Sequence, residues 1–160
     1  MGMNFRTGRW AGAILEAQRP DGSWGQFHSR VAPYKEQTTE QALHRLRILG
    51  YVREDPPIQH ALAYLRDCLQ GRQTIPDRRE KGVGWDRYVE LMLATAIRIF
   101  DPTDREAGRV AEQWRTVVTE TFASGIFDGI AYKRVFADTF GIASSVHPRY
   151  ADLSCRYPVE

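Results

Sequence analysis

Apolar side chains recur every three or four residues in six stretches of the chain, and this spacing predicts an all-α protein. The predicted helices cover about residues 7–18, 38–50, 55–71, 86–101, 103–122 and 128–140. The fifth helix carries the clearest apolar stripe, which extends from Ala107 to Phe122. No alternating apolar run bounded by turn residues occurs that would predict a strand.

The predicted helix starts follow a regular interval. The N-caps fall into two series spaced by 48 residues, Thr7, Asp55 and Thr103, and Thr38 and Asp86. Thr103 has a glutamate three residues further on, which predicts a capping box. The interval predicts three α/α hairpins over residues 7–50, 55–100 and 103–142, followed by a C-terminal tail over 143–160. Stacked neighbours would complete the core, because one hairpin cannot bury both of its faces.

Composition limits the classes of protein to which the chain can belong. It has 160 residues, of which 42% are hydrophobic and 26% charged, as expected for one globular domain. A net charge of +2 does not indicate a nucleic-acid partner. No apolar run approaches the roughly 20 residues of a membrane span, and no signal peptide is recognisable, so the expected location is cytoplasmic. Cys68 and Cys155 form no CxxC pair and predict no disulfide framework.

The stretch from Gln18 to Gly25 combines a helix end, a tight turn and a large aromatic residue. Pro20 ends the preceding helix, Asp21 suits a turn, and Gly22 can take a positive φ. Trp24 is placed to pack on the helix end. These are structural tasks, so this stretch predicts fold and not chemistry.

The stretch from Ile14 to Gly25 contains an apolar residue, then Gln18, then Asp-Gly-Ser-Trp-Gly. This order of residues resembles the QW motif of one superfamily. This is the terpenoid cyclase and protein prenyltransferase α/α-toroid superfamily, built from the prenyltransferase/squalene oxidase repeat. The resemblance is specific over about residues 10–70 and continues in phase to about 140. It implies that the motif ties adjacent repeats together, with Gln18 and Trp24 in a stabilising role. The structural motif residues are Gln18, Asp21, Gly22 and Trp24, and, in a divergent second copy, Gly84 and Trp85.

A complete toroid of this superfamily has about twice as many hairpins as this chain. The resemblance therefore implies half of an (α/α)6-type toroid. Such a half ring is expected to self-associate, to be completed by a partner chain, or to remain an open concave array.

The acidic motifs of the superfamily are missing. Its class II terpene cyclases protonate an alkene with an aspartate of a D-x-D-D motif, and its ionisation-type enzymes bind diphosphate through D-D-x-x-D; neither occurs here. The remaining catalytic candidates are Asp86 and Glu90, one helical turn apart beside a loop. The alternative is a solvated helix start, where the helix dipole favours acidic residues.

Metal-ligating residue types cluster only near the C-terminus, at His147, Asp152 and Cys155. The protein prenyltransferases bind zinc through an Asp-x-Cys pair and a distant histidine. In this chain two residues separate Asp152 from Cys155, one more than in the Asp-x-Cys pair, and His147 precedes the pair instead of following it. A flexible tail without a metal explains these residues more simply, so no metal and no cofactor are predicted.

A set of aromatic residues offers a place for an apolar ligand, since aromatic faces stabilise cations such as the carbocations of isoprenoid chemistry. The alternative is an ordinary helical core. The candidates for the pocket are Trp10, Trp114, Tyr132, Phe136 and Phe140.

Two function hypotheses follow from these observations. The first is a toroid module without a catalytic motif, which binds a partner chain or an apolar, isoprenoid-like ligand on its concave face. The second is a terpene cyclase or prenyltransferase-type enzyme whose active site is completed by a second half or a partner subunit. A third interpretation treats the chain as part of a longer polypeptide.

Overall fold

The protein is all-α, as the spacing of apolar residues predicts. A computed structural model describes residues 5–28, 37–79 and 84–141, and no strand occurs within these ranges. None of the described helices is long and apolar enough to cross a bilayer. The described elements are a 3-10 helix, Phe5–Thr7, and the α-helices α1 (Arg9–Glu16), α2 (Thr39–Ile48), α3 (Pro56–Leu69), α4 (Trp85–Phe100), α5 (Arg105–Thr121) and α6 (Gly129–Phe140).

Side-chain caps fix the start of several helices. The Thr38 hydroxyl accepts a 3.3 Å bond from the backbone N–H of Gln41 and begins α2, as predicted. Asp128 accepts from the N–H groups of Ile130 and Ala131 and begins α6. These bonds satisfy amide groups that have no partner inside the helix. α3 begins with Pro56 directly after Asp55, since proline suits the first helical turn.

Three predicted helix starts are wrong by one or two residues. Thr7 belongs to the 3-10 helix, and Gly8 is the N-cap of α1. α4 begins at Trp85 after Gly84, one residue before Asp86. α5 is capped by Asp104, whose carboxylate accepts from the N–H of Ala107. Thr103 does not form the predicted capping box, because its hydroxyl bonds the Asp101 carboxylate at 2.7 Å.

The chain divides into two compact units, Met1–Arg78 and Arg79–Glu160. In the first unit, α1 to α3 bury one face each, including Ile14, Leu46 and Leu62. The 3-10 helix lies against the turn between α2 and α3, where the Tyr51 hydroxyl donates to the carbonyl oxygen of Arg6. Burial of these stripes is the main source of stability, because apolar surface leaves water.

In the second unit, α5 packs against both α4 and α6. The apolar stripe predicted along α5 is the buried one, with Val110, Trp114 and Val117 almost fully covered. The unit boundary falls inside the predicted hairpin 55–100, so α3 belongs to the first unit and α4 to the second.

Candidate functional site

The Gln18 side chain joins the end of α1 to the start of α3. Its amide nitrogen donates to two backbone carbonyl oxygens, that of Gly22 at 3.0 Å and that of Pro57 at 2.9 Å. The Gln18 amide group therefore uses both of its N–H donors, and one of the two acceptors, Pro57, is 39 residues away in the sequence. This places Gln18 in the position of a structural bridge.

Trp24 closes the same turn from the other side. Its indole Nε1 donates to the carbonyl oxygen of Ile14 at 2.6 Å, and its backbone N–H donates to the Thr39 hydroxyl at 2.9 Å. The side chain is buried. Trp24 thus links the last turn of α1 to the first residue of α2.

Asp21 and Gly22 shape the turn between Gln18 and Trp24. The Asp21 carboxylate accepts from the backbone N–H of Ser23 at 2.9 Å and from its hydroxyl at 2.8 Å. Burial alone would raise the pKa of Asp21, but these bonds and the Arg19 charge outweigh it and lower the pKa. Gly22 has φ +91°, and a Cβ at this position would lie 2.4 Å from the carbonyl oxygen of His60. The turn is therefore a closely packed structural element.

Asp77 is a fixed carboxylate that the sequence pattern does not reveal. It accepts from the backbone N–H of Phe27 at 2.6 Å and from that of His28 at 2.8 Å. The His28 ring lies 2.7 Å from a Glu40 oxygen. No motif links residues 50 positions apart, so only the folded chain brings Asp77 to this loop.

Tyr64 and Cys68 lie on one face of α3, a helical turn apart. Burial raises the pKa of the Cys68 thiol to about 11, although the neighbouring Tyr64 hydroxyl opposes the change. Burial also raises the pKa of Tyr64 well above its usual value. A thiol with this pKa is almost entirely protonated at neutral pH, so it is a poor nucleophile.

The two catalytic candidates, Asp86 and Glu90, are bonded to different arginines. Asp86 pairs with Arg79 at 2.7 Å, with both side chains largely exposed. Both oxygens of Glu90 accept from Arg87 at 2.8 Å. The structure therefore places these carboxylates in surface or half-buried ion pairs. An acid that protonates an alkene must instead lie in a dry cavity.

The aromatic candidates for a ligand pocket are divided between the two units. Trp10 belongs to the first unit and is 78% exposed. The other four are buried in the second unit, where neighbouring ring centroids lie 4.7 to 5.8 Å apart, typical of a packed core. They are Trp114, Tyr132, Phe136 and Phe140.

In the divergent copy of the motif, Gly84 caps α4 and Trp85 is buried against Tyr88.

An apolar surface lies where α5 joins α6, and we call it the α5–α6 surface. Its side chains are Phe122, Ile126, Phe127 and Ile130. Ile126 and Ile130 are 75% and 83% exposed. Ile126, Phe127 and Ile130 line an open depression of about 530 Å³, together with the side chain of Lys133. Ile130 lies outside the buried face of α6, and the sequence pattern did not predict this surface.

Within the ranges that the structure describes, no group of three or more His, Cys, Asp or Glu side chains is arranged to hold a metal ion. The metal candidates His147, Asp152 and Cys155 lie outside the described residues.

Comparison of the chain with protein-family models, with curated proteins and with solved structures finds no match.

Proposed function

We propose that this chain is a non-catalytic helical binding module of the toroid type, and that its α5–α6 surface binds a second copy of the chain. The observation that carries the proposal is the exposure of Ile126 and Ile130 beside the open depression. Clustered apolar side chains of this size on a surface are typical of interaction sites.

The charges of the α5–α6 surface favour a copy of the same chain. The lining residues include one acidic and one basic side chain, Asp128 and Lys133, and Asp128 also accepts from the N–H groups that begin α6. Two copies related by a twofold axis place the same surface against itself. A lining with one positive and one negative side chain has no net charge, so the surface meets its own image with little net repulsion.

The turn from Gln18 to Trp24 supports the toroid part of the proposal. The resemblance implies a glutamine and a tryptophan that join a helix end to the following helices. Gln18 bonds Pro57, and Trp24 bonds Ile14 and Thr39, which are contacts of that kind. Half of a toroid leaves helices without neighbours, and pairing of two copies would supply them.

The claim in this proposal that the module is non-catalytic depends on the positions of its acidic residues. The sequence contains neither acidic motif of the terpenoid enzymes. Its two best substitutes, Asp86 and Glu90, are each bonded to an arginine side chain. An acid that protonates an alkene must instead face the substrate in a water-excluded site.

Static light scattering over a concentration series tests the proposal. The mass should rise from that of one chain to that of two as concentration increases. The double variant Ile126→Asp, Ile130→Asp should remain monomeric, because each copy would bury two unpaired carboxylates in the interface. Both side chains are exposed, so circular dichroism of this variant should match that of the parent chain.

Ile48→Asp is the matched control, because Ile48 is 70% exposed and belongs to the first unit. It should pair like the parent chain. A parent chain that stays monomeric at every concentration overturns the second-copy proposal, as does a dimer that survives the double variant. If a monomeric parent chain increases the fluorescence of anilinonaphthalene sulfonate and the double variant does not, the α5–α6 surface binds an apolar small molecule instead.

A further inference from the structure

The first unit carries a second exposed apolar surface, which differs from the α5–α6 surface in its charges. Its apolar side chains come from the 3-10 helix, the first turn of α1, the last turn of α2 and the turn after it. They are Phe5, Trp10, Ile48 and Val52, which are between 49% and 78% exposed. With Arg9 and Arg47, these residues are called the basic apolar surface below.

Several contacts hold the contributing segments together. The Tyr51 hydroxyl donates to the carbonyl oxygen of Arg6 at 2.9 Å, and the Arg6 guanidinium lies 4.7 Å from the centre of the Tyr51 ring. Arg6 also pairs with Asp55, and the second oxygen of Asp55 accepts from the backbone N–H of Val52. Phe5 and Val52 are the chain neighbours of Arg6 and Tyr51, so these contacts hold the backbones of the 3-10 helix and the α2–α3 turn close together.

Trp10 follows the 3-10 helix by three residues, in the first turn of α1. The buried side of α1 is formed by Ala11 and Ile14, and Trp10 lies outside it. A tryptophan exposed to 78% leaves most of a large apolar ring in water, which is unfavourable unless a partner covers it.

Arg9 and Arg47 provide the charge. Both are exposed, and neither side chain has an ion-pair or hydrogen-bond partner among the residues that the structure describes. Arg9 precedes Trp10, and Arg47 precedes Ile48, so each arginine is next in sequence to a residue with an exposed apolar side chain. The nearby Asp55 is already bonded to Arg6 and does not neutralise them.

We propose that the basic apolar surface binds an anionic lipid surface. Exposed tryptophan and aliphatic side chains enter the interfacial region of a bilayer, where aromatic rings are favoured, and the arginines stay at the level of acidic headgroups. The apolar side chains are exposed to solvent, and a deformable bilayer interface can accommodate them without a preformed groove. The occupant differs from that of the α5–α6 surface, so this proposal does not depend on self-association.

Vesicle binding with tryptophan fluorescence tests the proposal on the full chain. Three of the four tryptophans, Trp24, Trp85 and Trp114, are at most 5% exposed, so changes in quenching report mainly on Trp10. With vesicles of roughly 7:3 phosphatidylcholine to phosphatidylserine, emission should shift to shorter wavelength and acrylamide quenching should fall. Pure phosphatidylcholine vesicles should have little effect. Raising NaCl from about 0.1 M to about 0.5 M should release the chain.

Variants separate the charge from the apolar contribution. Arg9→Gln with Arg47→Gln should lower the vesicle partition coefficient about 30-fold, at roughly one factor of five for each basic residue near an anionic surface. The matched control is Arg105→Gln with Arg115→Gln, which removes the same charge from exposed positions of α5. This control should bind like the parent chain. Trp10→Ser should lower the vesicle partition coefficient, measured by sedimentation, about 10-fold.

Equal partitioning of the Arg9/Arg47 variant and its control would overturn the proposal, since net charge alone would then explain binding. Absence of sedimentation with the phosphatidylserine vesicles would overturn it too. If poly-glutamate protects Trp10 from acrylamide and the vesicles do not, the surface belongs to an acidic polypeptide.

Discussion

The indole N–H of Trp24 donates to the carbonyl oxygen of Ile14, in the last turns of α1. Carbonyl groups at the end of a helix have no partner within it, so Trp24 supplies one from a residue ten positions further on. The same residue holds α2 through the bond from its backbone to Thr39. One tryptophan therefore fixes the end of one helix and the beginning of the next.

Replacing Trp24 with phenylalanine should lower the free energy of unfolding by about 2 to 4 kcal/mol, because the hydrogen bond is lost and a small cavity is left. Urea denaturation followed by circular dichroism measures the change. Trp10→Phe is the control and should change stability by less than about 0.5 kcal/mol, since Trp10 is exposed. Equal effects of the two changes would show that the Trp24 bond to Ile14 contributes nothing.

Gly22→Ala should be strongly destabilising, by about 3 kcal/mol or more. The new Cβ would approach the backbone oxygen of His60 to 2.4 Å, and the residue must keep φ +91°. Gly71→Ala isolates the second cause, because Gly71 has φ +71° with no atom within 4 Å of the added Cβ. We expect a cost of about 1 kcal/mol for Gly71→Ala in the same urea experiment. If both variants cost the same, close packing against His60 is not a constraint.

Gln18→Glu should make stability depend on pH. A carboxylate in place of the amide would face the carbonyl oxygens of Gly22 and Pro57 without a proton to donate. Its pKa should therefore be raised in the folded chain, so the variant is most stable below the unfolded value of about 4.3 and loses stability as pH rises above it. We expect a loss of about 2 to 4 kcal/mol at pH 7 relative to the parent chain.

Gln59→Glu is the control for that experiment, because Gln59 is exposed on α3. Urea denaturation between about pH 4 and pH 7 should give similar profiles for this variant and the parent chain. A Gln18→Glu profile that also follows the parent chain would mean that the bridge to Pro57 is not needed.

The Cys68 thiol should react slowly at neutral pH. With a pKa of about 11, its thiolate fraction at pH 7.5 is ~300-fold smaller than that of an ordinary thiol. In the Cys155→Ser variant, Ellman's reagent should label Cys68 about 300-fold more slowly in the folded protein than in the urea-unfolded chain. The labelling rate of the folded protein should keep rising up to about pH 11. Since the folded pKa is raised, the free energy of unfolding should fall as pH increases from about 9 toward 11. A folded rate that levels off near pH 8.5 would contradict the buried-thiol interpretation.

Much of the helical framework could be predicted because burial of one helix face imposes a period that the sequence must carry. The stripe on α5 from Ala107 to Trp114 is an example. Exact starts were harder to predict, because Thr103 and Asp104 are both good caps. The choice depends on Asp101, whose carboxylate bonds the Thr103 hydroxyl and leaves Asp104 to cap the helix.

The candidate sites were harder to predict than the helices. A buried aromatic such as Phe136 has the same helical spacing whether it lines a pocket or fills a core, so sequence alone does not separate the two. The exposure of Ile126 depends on how the chain turns after α5, which the stripe pattern does not encode. Asp77 acts across 50 residues, and its bonds to Phe27 and His28 leave no local signal.

The Asp77 bonds also decide where the first unit can be cut. α3 ends at Leu69, and a chain shortened to that point would keep all three helices. It would nevertheless lose the Asp77 carboxylate, which accepts from the N–H groups of Phe27 and His28. A fragment that is to keep both bonds of this loop must therefore extend through Asp77, eight residues beyond the last helix of the unit.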